Sequence, residues 1–374
     1  MLEITKVVSR KDIKEFIEFP LRLYKGCEYF VPPLYGDEKK LLRAGGKPEN
    51  SESVFYLAKR DGKTVGRIQG IIQKQYNELH GTKIVRFTRF DSVDDAEVSR
   101  ALFSAVSEWG RARGMAELVG PLGYSDLDRE GMLIEGFDED STFEEQYNYD
   151  YYPALLEKFG FEKDVDWLEF ELRAPEKKNV MLERVANRVL EMQKLHLVKT
   201  DGISKKAYID KYKAQVFECI DECYSKLYGT VPISPEMQKE LVDQFVLIVN
   251  KEYLVLICDE QERVVAFGLC FPSIGEAVKK SGGRLTLPAL LKLLRLVKNP
   301  KVIDLALVAV RPEYQSAGVN AVILNALCDM LLAGKVEKCE TNLNLETNTA
   351  VISQWKHFES RQHKRRRSYK KTIL

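Results

Sequence analysis

Histidine is scarce in this 374-residue chain, with four copies. Cys219 and Cys223 share a helix face, but no histidine lies near them in sequence, so no metal centre is expected. No run approaches the ~20 uninterrupted apolar residues that a membrane-spanning helix requires, and the start, Met1-Leu-Glu-Ile-Thr-Lys, is too polar for a signal peptide. A cytoplasmic protein with no stable membrane insertion is the expectation. Charge of either sign is not in excess: 57 Lys and Arg face 56 Asp and Glu, a net +1 that gives no overall pull toward nucleic acid. The seven cysteines are odd in number and scattered through helical and strand patterns, which argues for reduced thiols rather than a disulfide framework.

What is present is globular: 45% hydrophobic and 30% charged residues, in a length that suits two domains. In order, the patterns predict a strand at 2–8, a helix at 11–24, and a loop rich in Gly, Pro, Glu and Ser at 44–53. A hairpin follows at 54–59 and 65–73, turning on Asp61-Gly62. Next come a strand at 84–90, a helix at 96–113 stopped by Gly114, a strand at 118–122, a helix at 151–160 and a closing strand at 167–172. A charged linker, Ala174-Pro-Glu-Lys-Lys178, and a helix at 180–192 separate this half from a second with the same order. There the patterns predict a strand at 195–199, helices at 208–228 and 235–249, and a hairpin at 253–258 and 264–271. A strand at 302–310, a helix beyond Gly318, a strand at 339–345, a helix at 349–358 and a strand at 365–374 complete it. Two copies ~175 residues apart are too far apart for a solenoid and suggest duplication.

The segment 302–332 organises the second half. Val302 to Val310 is an almost unbroken apolar run ended by Pro312, a buried strand. Val319, Val322, Ile323, Ala326, Leu327, Met330 and Leu331 have helical spacing. A strand turning directly into a helix leaves the helix's first N–H groups unpaired, which makes the turn an anion site. The turn Arg311-Pro-Glu-Tyr-Gln-Ser-Ala-Gly318 resembles the acyl-coenzyme A pyrophosphate loop of the GNAT (N-acetyltransferase) superfamily. That pattern is Gln/Arg-x-x-Gly-x-Gly/Ala; Gln315 and Gly318 match, and Asn320 takes the last small position. Tyr152-Pro-Ala-Leu-Leu-Glu-Lys-Phe-Gly-Phe161 resembles the family's last helix and its Gly-Phe exit. Glu346-Thr-Asn348-Thr-Ala-Val-Ile-Ser-Gln-Trp355 resembles its second signature.

The resemblance implies an α/β (α+β) fold of two GNAT-like domains, each a mixed, mostly antiparallel twisted sheet flanked by helices. Residues 1–174 are a degenerate copy, 175–194 a linker and helix, and 195–374 the acyl-coenzyme A-binding copy. The turn at Asp91-Ser-Val-Asp-Asp95 has no glycine and three carboxylates, so the first half is expected to hold no coenzyme. In the second half the resemblance implies direct transfer from acetyl-coenzyme A, or another acyl-coenzyme A, to a primary amine of a small molecule or peptide. Val308, Val310, Gln315, Ser316, Ala317, Gly318, Val319, Asn320 and Asn348 would hold the coenzyme.

Asp304 interrupts an apolar strand, at the position where some members place the carboxylate that deprotonates the amine. The alternative is a strand-start aspartate turned to solvent. Trp355 occupies the position where many members carry a tyrosine that protonates the departing thiolate; an indole N–H is too weak an acid, and core packing is the preferred reading. A non-catalytic acyl-coenzyme A sensor or interaction module is therefore the rival function. Seven Lys or Arg between Arg361 and Lys371 suggest nucleic acid, but in a strand they alternate between faces, and a solvated edge is the expectation. Segment 275–301 carries Leu285, Leu287, Leu290, Leu291, Leu294 and Val297 with Lys292, Arg295, Lys298 and Lys301. This is a basic amphipathic helix that either packs on the domain or serves as a lid or membrane-surface contact.

Overall fold

Asp61 and Gly62 both adopt positive φ, 51° and 75°, the geometry of a two-residue hairpin turn whose twist matches the flanking strands. They join β2 (Ser51–Arg60) to β3 (Lys63–Gln73). The computed structural model describes residues 1–43, 46 and 48–373; the expected loop at 44–53 and tail strand at 365–374 therefore include positions (44, 45, 47 and 374) outside the described residues. Around the hairpin, the first part of the chain forms β1 (Leu2–Lys6), α1 (Arg10–Leu23), α2 (Tyr35–Leu41), α3 (Lys74–His80), β4 (Ile84–Ser92), α4 (Ala96–Arg111), β5 (Glu117–Gly120), β6 (Met132–Glu135), α5 (Tyr152–Phe159) and β7 (Glu162–Arg173). Then follow α6 (Val180–Met192), β8 (His196–Leu197), α7 (Lys205–Tyr224), α8 (Pro235–Phe245), β9 (Leu254–Cys258), β10 (Val264–Pro272), α9 (Gly275–Val278) and α10 (Leu287–Lys298). The chain ends with β11 (Val302–Val310), α11 (Asn320–Leu332), β12 (Lys338–Thr341), β13 (Asn344–Leu345), α12 (Thr349–Ile352) and β14 (Glu359–Thr372).

These elements divide into two compact units. The first comprises Met1–Leu168, Gly275–Ala289 and Lys364–Leu374; the second comprises Glu169–Ile274 and Leu290–His363. The helix expected to link the halves, α6, thus lies within the second unit, and two segments of the second half lie within the first. In the first unit β1, β2, β3 and β4 pair antiparallel in sequence order and β4 pairs parallel with β5. In the second, β8, β9, β10 and β11 pair antiparallel in order and β11 pairs parallel with β12. Both are the mixed, mostly antiparallel sheets that the sequence predicts.

The strand that closes each sheet departs from expectation. Beside β5 the first unit places residues from the end of the chain, with Tyr369 opposite Gly120 and Thr372 opposite Glu117. Beside β12 the second unit places residues from the first half, with Leu172 opposite Cys339 and Glu171 opposite Glu340. The closing strands are exchanged between the two halves of the sequence. Side-chain alternation sets which face of a strand is buried, not which neighbour it pairs with, so the two arrangements look alike in sequence.

Cores follow from the helix faces. On α4, Val98, Leu102, Phe103 and Val106 pack on Ala58, Ile68, Val85 and Phe87. Close approach there depends on glycine: a Cβ on Gly66 would lie 2.8 Å from Leu102 Cδ1, and one on Gly70 2.9 Å from Val106 Cγ1. In the second unit α11 turns Val322 and Ile323 against Ile257, Val265 and Val310, with Ala186 of α6 in the same cluster. The tail is not a free basic surface. Arg367 Nε and Arg365 NH1 lie 2.7 and 3.3 Å from the carboxylate of Asp166, and Lys364 Nζ donates to Asp140 O at 2.9 Å.

Candidate active site

The site begins with a bulge. Leu269 and Cys270 of β10 are consecutive, yet they oppose Leu307 and Leu305, so Ala306 is an extra residue in β11. A bulge increases twist and turns a strand away from its neighbour. β11 pairs with β12 only from Val302 to Leu305, with one further bond from Asn342 N–H to Leu305 O at 3.0 Å. Beyond that point its edge on the β12 side has no strand partner among the described residues.

Hydrogen-bond parity shows which groups line the edge. Arg311 N–H donates to Val265 O at 2.9 Å, so the residues that bond to β10 are Arg311, Ala309 and Leu307. The peptide groups of Val308 and Val310 therefore point the other way. Their carbonyls are occupied: Tyr224 Oη donates to Val308 O at 2.8 Å, while Cys223 Sγ and Gln315 Nε2 donate to Val310 O at 3.2 and 3.1 Å. Cys219 stands 3.9 Å from Cys223, and that contact, followed by burial, pushes its thiol well up.

The edge leads into the expected turn, a short 3₁₀ segment Pro312–Ala317. Arg311 is fully buried and anchors it: Nε donates to Val264 O at 2.8 Å and NH2 reaches Glu218 at 2.9 Å, with NH1 on Glu222. Burial opposes its charge, but the Glu222 and Glu218 bonds outweigh that and hold it raised. Gly318 has φ of 79°, the left-handed conformation that favours glycine, and a Cβ there would meet Val189 at an ordinary 3.4 Å. α11 starts at Asn320 with no side chain capping its first amides. Gln315, Ser316 and Gly318 are exposed, Ala317 and Asn320 are half-buried, and Val319 is buried in the core.

The first unit repeats this backbone with its groups filled. A register shift in β4 leaves Arg89 at φ of 47°, Leu122 N–H donates to Phe87 O, and Val93 N–H donates to Val65 O at 3.0 Å. Phe90 and Ser92 are thus the counterparts of Val308 and Val310. Gln146 donates to Phe90 O at 3.2 Å, Tyr151 Oη donates to Ser92 O at 2.7 Å, and Ser92 N–H donates to Tyr152 Oη at 3.1 Å. The carboxylate of Asp95 accepts from the first amides of α4, Glu97 N–H at 2.8 Å and Val98 N–H at 3.4 Å, and lies 2.6 Å from Arg60. An anion approaching α4 would meet that carboxylate instead of open N–H groups.

Asp304 is 4% exposed, which removes the solvent-facing alternative. Register places it opposite Glu340, and Glu340 opposite Glu171, so three carboxylates form a cross-strand row on one face. Lys338 Nζ bridges two of them, at 2.7 Å from Glu340 and 3.0 Å from Glu171. Burial works against the charge on Glu171, but Lys338 and Arg173 outweigh it and bring its carboxyl down to about 2. The buried His363 has Nε2 3.8 Å from Glu340. Glu340, Glu171 and His363 escaped the sequence reading because the row exists only through pairing across three strands.

Asn348 is a helix cap, its Oδ1 accepting from Val351 N–H at 3.3 Å. Trp355 is buried, 6.4 Å from the Phe358 ring, within the core formed by Leu172, Leu327 and Cys339. Among the described residues no cluster of His, Cys, Asp and Glu has the arrangement of a metal site.

No protein-family model matches the sequence. The chain is 27% identical to protein YghO of Escherichia coli over 98% of this chain and 94% of that one. It is 25% identical to a protein of Caulobacter vibrioides named bacterial ceramide synthase, over 100% of this chain and 98% of that one. Among solved structures, a tandem GNAT protein from the clavulanic acid biosynthesis pathway superposes with a TM-score of 0.60 at 13% identity, covering 100% of this chain and 99% of that one. A GCN5-related N-acetyltransferase from Sphaerobacter thermophilus superposes with a TM-score of 0.52 at 12% identity, covering 100% and 96%.

Proposed function

The chain has the tandem GNAT fold, and from that premise we propose that it is an N-acyltransferase. It moves the acyl group of acetyl-coenzyme A or another acyl-coenzyme A to a primary amine, with the coenzyme held by the second half of the sequence. The observation that carries this reading is the contrast between two copies of one backbone. Side chains take the edge carbonyls in both copies, but in the first the N–H of Ser92 and the first amides of α4 are taken by side chains as well. In the second, the N–H groups of Val308 and Val310 face the opened edge and α11 begins with no side-chain cap.

In this reading Val308 and Val310 donate to the amide carbonyls of the pantetheine arm. The amides of Gln315, Ser316, Ala317, Gly318, Val319 and Asn320 receive the pyrophosphate, as a helix start favours anions. Asn348 contributes through its amide NH₂, its oxygen being committed to Val351. Asp304 takes a proton from the ammonium of the acceptor. The freed nitrogen then attacks the thioester carbon and the C–N bond forms as the C–S bond breaks. The second proton of the nitrogen passes to the departing sulfur, directly or through water, so that amide and thiol are the products. A ceramide is a long-chain amine acylated on nitrogen, so the name of the Caulobacter relative supports a long-chain amine as acceptor over a peptide. Trp355 favours the sensor as the second reading, because a core indole supplies no proton to the leaving thiolate.

The test is turnover with acyl-coenzyme A donors from acetyl to palmitoyl against simple amines, peptides and sphinganine, followed by thiol release and mass spectrometry of the amide. Amide formation with one coenzyme bound per chain is expected. Tight binding with no amide from any acceptor would establish the sensor, and two coenzymes per chain would refute the filled first copy.

A further inference from the structure

The net charge of +1 conceals a local imbalance. Between Glu276 and Asp304 the chain has seven Lys or Arg and no acid: Lys279, Lys280, Arg284, Lys292, Arg295, Lys298 and Lys301. Lys279, Arg284 and Lys301 pair with Asp140, Glu18 and Glu337 from elsewhere in the chain, so the relevant cations are those of the helix itself. α10 lies within this stretch. Its inner face is anchored, with Leu293 fully buried, Ala289 at 6% exposure and Val297 O accepting from Asn250 Nδ2 at 2.9 Å. Its outer face has Leu287, Leu291 and Leu294 at 70%, 60% and 45% exposure, at the i, i+4, i+7 spacing of a single stripe. Lys298 continues the stripe, and Lys292 and Arg295 flank it. Three exposed leucines bordered by cations on a fixed helix form the amphipathic pattern that lies in a lipid interface.

We propose that this face of α10 docks on an anionic membrane surface, with Leu287, Leu291 and Leu294 entering the headgroup boundary and Lys292, Arg295 and Lys298 facing lipid phosphates. Charge selects this occupant. A second copy of the chain would bring Lys292, Arg295 and Lys298 of the same helix face against themselves in a two-fold contact, which like charges disfavour. Nucleic acid gives the leucines no apolar partner. α6 shows the contrast: it exposes Met181, Val185 and Met192, but Glu183 and Glu191 lie among its cations and leave no single sign to match. No helix among the described residues is long and apolar enough to cross a membrane, so the contact is peripheral. This inference does not depend on the acyl-transfer reading.

The experiment is co-sedimentation of the full chain with vesicles of phosphatidylcholine, with and without phosphatidylglycerol as about one third of the lipid, near 0.1 M salt. Binding to the anionic vesicles alone is expected. Arg295→Gln with Lys298→Gln should weaken it roughly 25-fold, at about fivefold for each cation near the surface. Leu291→Ser with Leu294→Ser should weaken it about tenfold or more. Both pairs are exposed, so circular dichroism should be unchanged. As an independent readout, the indole introduced by Leu291→Trp should be quenched by brominated lipid. No binding to anionic vesicles, no quenching, or a leucine variant that binds as the parent does would each overturn the proposal. So would a dimer that the leucine variant dissolves, since it would assign the face to a second copy.

Discussion

Replacing Asp304 by asparagine separates a base from a structural carboxylate. The exchange keeps size and hydrogen-bonding reach at a site 4% exposed, but an amide cannot take the acceptor's proton. If Asp304 is the base, coenzyme affinity should persist while turnover falls ~100- to 10,000-fold, or about 3–5 kcal/mol of lost transition-state stabilisation. The deficit has a pH signature. An alkyl amine with pKa near ~10 gains about tenfold in free base for each pH unit below that value, so the gap between variant and parent should narrow as pH rises from 7 toward 9. The assay is initial-rate thiol release across that range, with calorimetry for coenzyme binding and a thermal melt for each protein. Unchanged activity per folded molecule, with a melting temperature lower by roughly 4–8 °C for about 2 kcal/mol lost, would refute the assignment and leave Asp304 a structural member of the row with Glu340.

Three further outcomes follow from the geometry. Gly318→Glu should abolish coenzyme binding in calorimetry by straining a left-handed residue and placing a carboxylate at the turn, whereas Asp95→Ala should cost about 1 kcal/mol of stability as a lost helix cap and leave affinity intact. Glu38 is buried against Arg89 at 2.8 Å, and although burial opposes its charge, Arg89 brings its carboxyl from 4.5 down to about 2. Its contribution is complete above pH 4.5 and lost as pH falls toward 2, so in acid titrations Glu38→Gln should remove on the order of 3 kcal/mol of pH-dependent stability from that window, and an unchanged profile would contradict the pairing. Residues 1–174 expressed alone should lack the dispersed NMR spectrum of a folded domain, because their sheet would lack the strand that includes Tyr369 and Thr372.

Much of the backbone is readable where one local signal dominates. The expected bounds of β11, 302–310, and of α6, 180–192, are the observed ones, because a β-branched run ended by proline and an amphipathic run capped by Asn179 leave no competing assignment. Short elements with weak periodicity were not anticipated: α2, α3 and β6. The helix expected at 349–358 is α12 followed by a 3₁₀ turn, Ser353–His357. Around the candidate site, sequence singled out the turn and Asp304 as candidates, but not the bulge at Ala306, which looks like any residue of its run yet decides that Val308 and Val310 face away from β10. Nor did it reveal Tyr224 and Cys223 as donors to those two carbonyls, since that depends on how α7 lies across the strand.

The exchanged closing strands impose an order on synthesis. The first unit includes Met1–Leu168 but also needs Gly275–Ala289 and the last residues of the chain. At ~5–20 residues per second, the ribosome completes those residues about 10–40 s after Leu168 has been added. Throughout that interval β5 has an unpaired edge, and a chain halted anywhere after the first half carries the same edge. Such an edge is a template for pairing with other chains. A stop codon placed just before Arg365 would therefore damage the sheet built from the first part of the sequence, and aggregation of nascent chains, more than loss of any catalytic group, is the hazard this topology carries.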